Sequence, residues 1–266
     1  MSFMRKYGAV LAMQTKDAFA YRLEGLVFFC ADLMAPLLMM VAWKTIFESQ
    51  PDVAGYTINQ ILFYYLLIFI LRTTLSVYPH DISNQIRTGK LNASLVRPVS
   101  ILINQLASEI AWKIVRIMFL AVAVVLLVIT FFGGVAIPNL QLISLPLLIS
   151  LVNALLLNYF IKTIIEFTAF WTSEVDGLRS SFYILESFFS GTILPLNLLP
   201  GGIEALAQLL PFRFFYYFPI QIMLGKVSNG EIISNILISW GWLLFAIIVT
   251  RLLIRRGLKR YSAFSG

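Results

Sequence analysis

The sequence predicts an all-α, polytopic membrane protein with six transmembrane helices, and three observations support this class. Of the 266 residues, 59% are hydrophobic and only 12% are charged, whereas soluble domains are roughly 45–50% apolar and roughly 25% charged. The mean hydropathy is +0.86. Apolar runs of about 20 residues, which suffice to cross the hydrocarbon core of a bilayer, recur along the chain. We therefore expect residues 1–266 to form a single transmembrane domain.

The predicted spans leave an uneven distribution of basic residues on the two sides of the membrane. The spans cover residues 26–46, 58–77, 112–132, 142–165, 178–194 and 232–251. On one side of the membrane, the loops and the adjoining ends of the spans hold only Lys44, Arg213 and Lys226, and nearly all other Lys and Arg residues fall on the opposite side. Because cytoplasmic loops are enriched in Lys and Arg, we expect both termini to lie in the cytoplasm.

The N-terminal segment, residues 3–22, is too polar to span the membrane. Its basic residues, among them Lys16 and Arg22, are interspersed with apolar ones such as Phe19. This pattern favours an amphipathic helix that lies along the membrane surface, with its apolar side in lipid and its basic side toward the head groups. A frayed basic tail is the alternative.

The segment between the fifth and sixth spans, residues 188–226, is too apolar to be a solvated loop. Its prolines exclude one continuous helix: they are Pro195, Pro200, Pro211 and Pro219. We expect a re-entrant outer hairpin of short apolar helices, the first over about 188–196. Non-helical backbone at membrane depth must pack against protein or line a cavity.

The longest polar segment lies between the second and third spans, at residues 83–100. Apolar and basic positions follow one another at helical spacing until a proline ends the pattern. These positions are Ile86, Arg87, Lys90, Leu91, Leu95, Arg97 and Pro98. Gly89 predicts two short pieces with a bend between them. The segment has no nucleophile, base or metal ligand, so we expect another protein to bind it.

Three features of the chain together are specific for one family. They are the six spans with both ends inside, the stretch I-R-T-G-K-L-N-A-S-L-V-R-P-V-S at 86–100, and F-S-G-x-x-x-P-L-x-x-x-P at 189–200 followed by L-P-F at 210–212. With these features the chain resembles the permease subunits of ABC-2 type ABC transporters. The closing R-R-G-L-K-R-Y-S-A-F at 255–264 resembles a bacterial subgroup in which two different small permeases often share one ATPase.

The resemblance implies that the chain is the permease subunit of an ATP-driven transporter in the bacterial inner membrane. Most transporters of this family are exporters. Residues 83–100 would be the coupling helix region that docks on an ABC ATPase, through Arg87, Gly89, Lys90, Leu91, Leu95, Arg97 and Pro98. This stretch carries Asn92-Ala93-Ser94 where an acidic residue is common in the family, so no ion pair is assigned there. A second permease, more often a different ABC-2 chain than a second copy, and membrane lipid would be the other partners; nucleic acid would not.

The chain lacks a G-x-x-x-x-G-K-[ST] phosphate-binding loop, so it has no ATPase of its own. We expect it not to be an enzyme and to hold no cofactor, with ATP and Mg²⁺ bound by the partner ATPase. A membrane-embedded enzyme is disfavoured because His80 is the sole histidine and no H-E-x-x-H motif occurs. An ATPase-independent channel or secondary carrier is the remaining alternative.

Ionisable residues within the predicted spans are candidates for the transport pathway or its gate. Each costs roughly 2.5–3.5 kcal/mol at the centre of a membrane helix, so it should face protein or water. The candidates are Asp32, Arg72, Glu166 and Glu186, with Pro195, Pro200, Pro211 and Phe212 of the hairpin. Structural pairing is the alternative, and the spacing of Lys162 and Glu166 suggests that these two pair with each other.

Overall fold

The computed structural model of the protein describes residues 3–49, 55–96, 100–132 and 144–264. Within these ranges the chain is almost entirely helical, as the sequence predicts. The helices are α1 (Phe3–Ala20), α2 (Arg22–Ser49), α3 (Ile58–Leu75), α4 (His80–Arg87), α5 (Leu91–Leu95), α6 (Ile101–Phe132), α7 (Leu145–Phe167), α8 (Val175–Phe189), α9 (Gly201–Leu209), α10 (Tyr217–Met223) and α11 (Asn229–Phe264).

Five of these helices are long and apolar enough to cross a membrane: α2, α3, α6, α7 with the 3₁₀ turn that follows it, and α11. They correspond to the first four predicted spans and the last one, so the polytopic helical class is confirmed. Two boundaries differ substantially, because α6 begins at Ile101 rather than at residue 112 and α11 continues to Phe264 rather than to residue 251. The additional turns carry polar residues, which the hydropathy pattern assigned to a loop.

The fifth predicted span, residues 178–194, corresponds to the shorter helix α8. Its 15 residues extend about 22 Å at 1.5 Å per residue, whereas the hydrocarbon core is about 30 Å thick. The helix ends where Gly191 adopts φ +82°. A Cβ at Gly191 would lie 2.5 Å from the hydroxyl oxygen of Tyr64, so this sharp turn requires glycine. The predicted helix over 188–196 is therefore replaced by the end of α8 and a turn.

The N-terminal segment forms the helix α1 and packs against α6. Ala18 on α1 is buried with Ala111 and Val115 on α6. A frayed tail therefore does not describe residues 3–20, although the position of α1 at a membrane surface stays a prediction.

The helix α3 forms the centre of the structure. All side chains from Ile61 to Phe69 are buried, and α2, α6, α7 and α10 contact α3 on its different sides. A helix that is apolar around its whole circumference is stable only in such a buried position. Its start is fixed by a capping box, in which Thr57 and Gln60 exchange side-chain-to-backbone hydrogen bonds.

The segment from Ser190 to Gly225, here called the hairpin, is packed against the apolar helices rather than solvated. Tyr64 and Tyr65 of α3 donate hydrogen bonds of 2.6 Å to the carbonyl oxygens of Gly191 and Ile193. The α10 helix of the hairpin also contacts α7 and α3. The segment thereby meets the packing requirement of a re-entrant hairpin.

Candidate functional site

The segment between α3 and α6 forms a bent loop, here called the α4–α5 loop (residues 80–96). Two short helices, α4 and α5, flank a turn in which Gly89 has φ +74°, so the predicted bend is confirmed. Ile82 and Ile86 of α4 pack against Phe167 and Phe170, which follow each other closely at the end of α7. The base of the loop is therefore fixed to the rest of the chain at one end of the helix bundle, here called the α4 end.

The predicted coupling residues of the α4–α5 loop divide into one buried and several exposed positions. Leu91 is 0% exposed and belongs to the apolar base of the loop, whereas Leu95 is 43% exposed and its neighbour Val96 is 84% exposed. Leu91 begins α5 and packs in the same apolar cluster as Phe167 and Phe170, whereas Leu95, at the other end of α5, does not belong to that cluster. Arg87, Gly89 and Lys90 are exposed. Arg97 and Pro98 lie outside the described residues.

A single arginine of α8 connects the α4–α5 loop to two longer helices. Arg179 donates hydrogen bonds of 2.8 and 2.9 Å to the carboxylate of Glu166 on α7. Its guanidinium also donates to Ser83 Oγ of α4 over 3.0 Å and pairs with Asp176. We call Ser83, Glu166, Asp176 and Arg179 the Arg179 junction; it ties α4, α7 and α8 together.

The pairing expected between Lys162 and Glu166 is replaced by contacts to another helix. Glu166 binds Arg179, and Lys162 Nζ lies 3.0 Å from the carboxylate of Glu186. Both partners belong to α8, which runs beside α7 and offers shorter, better-aligned contacts than the same helix does. Of the two open interpretations, structural pairing thus describes the geometry of Glu166 and Glu186.

The carboxylate of Asp32 on α2 lies between two arginines. Arg72 on α3 approaches one oxygen at 3.3 Å, and Arg116 on α6 approaches the other at 3.7 Å. The Tyr78 hydroxyl lies 3.4 Å from the first oxygen, and the Arg116 guanidinium lies over the Tyr78 ring at 5.2 Å. Three helices therefore meet at one buried acid, which offsets the cost of placing it among apolar segments.

The charged groups near Asp32 belong to a larger set, here called the buried charge network. Its members come from α2, α3, α6, α7 and α8: Asp32, Arg72, Glu109, Lys113, Arg116, Lys162 and Glu186. Lys113 and Lys162 both donate hydrogen bonds to Ser76 at the end of α3, to its carbonyl oxygen and its hydroxyl respectively. Glu109 accepts from the backbone N–H of Tyr78 over 3.1 Å.

Four members of the network were not among the predicted pathway candidates: Glu109, Lys113, Arg116 and Lys162, of which Lys162 was expected only to pair with Glu166. The positive-inside pattern had assigned the three cations to the membrane margin. The sequence nevertheless contains a signal for a charged helix face, since Glu109, Lys113 and Arg116 follow one another at spacings of four and three residues. Such spacing places three ionisable groups on one helix face, and a face of this kind beside apolar residues indicates burial.

Two cavities adjoin the buried charge network. The first, of about 390 Å³, lies between α2, α6 and α8, and Asp32, Glu109 and Arg116 contribute to its wall. The second, of about 240 Å³, is lined by Arg72, Lys162 and Glu186. Tyr78 and Tyr183 line both, with their ring centroids 6.1 Å apart. This pair of rings therefore forms the wall between the two cavities.

The four hairpin residues predicted to belong to the pathway or its gate differ from one another in burial. Pro195, Pro211 and Phe212 are buried, whereas Pro200 is exposed at the start of α9. The Phe212 ring contacts Phe182 on α8 at a centroid distance of 5.4 Å. The hairpin thus packs on the same helix that carries Arg179 and Glu186.

At its far end the hairpin is fastened to the residues that precede α3. The Tyr56 hydroxyl donates to Asn197 Oδ1 over 3.0 Å and accepts from Gln221 over 3.0 Å. Burial raises the pKa of Tyr56, so the hydroxyl keeps the proton that it donates. Lys226 lies over the Tyr56 ring at 3.2 Å. This end, opposite the α4 end, is here called the hairpin end.

Most of the buried charged groups described above are held in ion pairs between helices. No group of three or more metal-ligating side chains occurs in the part of the chain that the structure describes. The ionisable groups form a network shared by five helices, bounded by an exposed loop at one end and a packed hairpin at the other. A fold of apolar helices long enough to cross a bilayer, with such a network inside, defines a polytopic α-helical membrane protein.

The chain belongs to the ABC-2 family of transporters, because the family model described as "ABC-2 family transporter protein" matches residues 33–265. Its membrane subunits are permeases of ABC transporters, associate with ABC ATPase subunits and are generally not catalytic themselves. The family predicted from the motifs at 86–100 and 189–200 is thereby confirmed. Among curated proteins, none matches the chain closely enough to count as a relative.

Proposed function

We propose that the chain is the permease subunit of an ATP-driven exporter and that its ATPase docks on the α4–α5 loop. The observation that carries this proposal is the construction of the loop. Exposed Arg87, Lys90, Leu95 and Val96 form its tip, while buried Leu91 holds its base. An apolar and basic tip on a rigid base suits a socket on another protein, since exposed apolar groups cost little only when a partner covers them.

Movement of the loop would reach the cavities through the Arg179 junction. Arg179 binds Ser83 in the loop and Glu166 on α7, and two turns further along α8 lies Glu186, which binds Lys162. Beyond Glu186, α8 leads into the hairpin. A displacement of α4 by the ATPase would therefore shift α8 relative to α7, rearrange the buried charge network and loosen the hairpin on the other side.

The arrangement in the cell follows from the same proposal. Both termini and the α4–α5 loop face the cytoplasm of a bacterium, and the hairpin end faces outward across the inner membrane. ATP and Mg²⁺ are bound by the partner ATPase. A second permease, a different ABC-2 chain in preference to a second copy, completes the pathway. Export is the direction in which the hairpin releases the substrate.

The docking test substitutes the exposed tip and leaves the base intact. Leu95→Asp and Val96→Asp should each prevent recovery of an ATPase with the tagged chain from native membranes, because a carboxylate would replace an apolar contact. Ser173→Asp, which adds the same charge to another exposed position beyond α7, should leave recovery unchanged. Undiminished recovery of the ATPase with both tip variants would contradict docking at this loop, whereas absence of an ATPase even with the wild-type chain would favour an ATPase-independent channel or secondary carrier.

A further inference from the structure

The first cavity has walls of two kinds, aromatic and acidic. Phe28 of α2 and Trp112 of α6 contribute rings, as do Tyr78, which follows α3, and Tyr183 of α8. Arg116 and Lys162 already lie over the two tyrosine rings, so Phe28 and Trp112 are the rings that a ligand would contact. Its volume of about 390 Å³ falls within the roughly 300–1,000 Å³ that is typical of sites for small organic ligands. Cations are attracted to the faces of such rings, most strongly to that of tryptophan and most of all where water is excluded.

The charges that line the first cavity leave an excess of carboxylate. Asp32 is neutralised by Arg72 and Arg116, and Arg116 is the lining residue that carries positive charge. Glu24 and Glu109 also line the cavity. Glu109 accepts hydrogen bonds from Tyr78 and Gln105 and lies one helical turn from the buried Lys113, whereas Glu24 forms no ion pair with any of the residues that the structure describes. A carboxylate at the rim of a cavity walled by aromatic rings favours an organic cation.

The second cavity differs from the first in the sign of its lining charges, although the two cavities share a wall. Arg72 and Lys162 line it with only one carboxylate, that of Glu186. The boundary between the two signs runs through the paired rings of Tyr78 and Tyr183. A cation in the first cavity would therefore be attracted by the near wall and held back by the cations beyond it.

We propose that the first cavity is a binding site for bulky hydrophobic organic cations, and that such cations are a substrate class of the transport proposed above. That these cations are transported rests on the function proposed above, whereas their binding in the cavity requires no ATPase. Glu24 and Phe28 are exposed at the rim, so a ligand could enter between α2 and α6 from the apolar phase. Its charge would then meet Glu24 first and Glu109 further in.

The test uses two probes of the same size and shape but opposite charge. Purified full-length chain in mild detergent is titrated with radiolabelled tetraphenylphosphonium and, separately, with tetraphenylborate. The cation should bind saturably, with an affinity at least roughly tenfold above that of the anion, since aromatic faces and carboxylates attract a cation and repel an anion. Equal binding of the two ions, or no saturable binding of the cation, would overturn the proposal.

Variants then locate the site. Glu24→Gln and Trp112→Leu should each weaken cation binding roughly fivefold or more, because each removes one of the contacts that attract a cation. Glu174→Gln, which alters an exposed carboxylate outside the cavity, is the matched control and should bind like the wild type. Thermal unfolding checks that each variant is folded. Because the Glu24 side chain is exposed, Glu24→Gln should leave the packing intact. Folded variants with wild-type affinity would refute this location.

The failure of this inference and of the proposed function can be told apart. Leu95→Asp, which should abolish ATPase recovery, should leave tetraphenylphosphonium binding unchanged, because Leu95 lies outside the cavity. Intact ATPase docking without cation binding would refute the ligand class alone. Cation binding by a chain that never recovers an ATPase would keep the site and refute the ATP-driven mechanism.

Discussion

Replacing Arg179 with methionine should destabilise the protein and uncouple the α4–α5 loop from the longer helices. The change removes a charged partner of Glu166, whose side chain is only 2% exposed. Breaking a buried ion pair by removing one member costs about 3–5 kcal/mol. The junction is open on one side, since Asp176 is 68% exposed, so we expect a loss near the lower end of that range.

A double variant separates the ion pair from other effects of the substitution. Glu166→Gln removes the charge of the partner, so the combination with Arg179→Met no longer leaves a buried carboxylate uncompensated. The double variant should be more stable than the sum of the single effects indicates, with a coupling of about 0.5–3 kcal/mol, the range for residues in direct contact. Thermal unfolding of the purified chain in mild detergent gives the relative stabilities.

The coupling role has its own readout, which a purely structural role would not change. In the assembled complex, Arg179→Lys should retain part of the charge but lose the two-pronged contact to Glu166, because a lysine has no planar fork. We expect assembly with the ATPase to persist and transport per ATP hydrolysed to fall. Additive effects of the two single variants on stability, together with unchanged transport in Arg179→Lys, would refute this account of the junction.

Two further predictions concern close packing and a second ion pair. Gly257→Ala should destabilise the chain, because a Cβ there would lie 2.1 Å from the Phe170 ring. The control, Gly241→Ala in the same helix, meets nothing within 4 Å and should stabilise the chain by up to about 1 kcal/mol. Equal melting temperatures of the two variants would contradict this packing. Lys162→Met should destabilise the chain more than the double variant Lys162→Met with Glu186→Gln, since only the single change leaves a buried carboxylate unpaired. Thermal unfolding curves of the two variants test this order.

The sequence was sufficient for the class of protein and for the position of its bent loop. Hydropathy located the long helices, because about 20 apolar residues in succession have few other uses. Gly89 predicted the bend, since its conformation at positive φ is one that residues with a Cβ rarely adopt. These features depend on local sequence, which is why they could be predicted without knowledge of neighbouring helices.

Contacts between helices could not be predicted in the same way. Whether Lys162 pairs with Glu166 or with Glu186 depends on how α7 and α8 lie against each other, and sequence spacing carries no information on that. The burial of Leu91 likewise depends on Phe167 and Phe170, which are far from it along the chain. The two cavities arise only after several helices have packed, so the sequence could not show which residues of different helices line the same cavity.

The most direct test of the central claim is recovery of partners with the tagged wild-type chain from its native membrane in mild detergent, identified by mass spectrometry. An ABC ATPase should be recovered together with a second permease, and Leu95→Asp should lose the ATPase while the control Ser173→Asp keeps it. Recovery of the intact chain alone, or an ATPase that binds wild type and Leu95→Asp equally, would contradict the claim that the α4–α5 loop couples this permease to ATP hydrolysis.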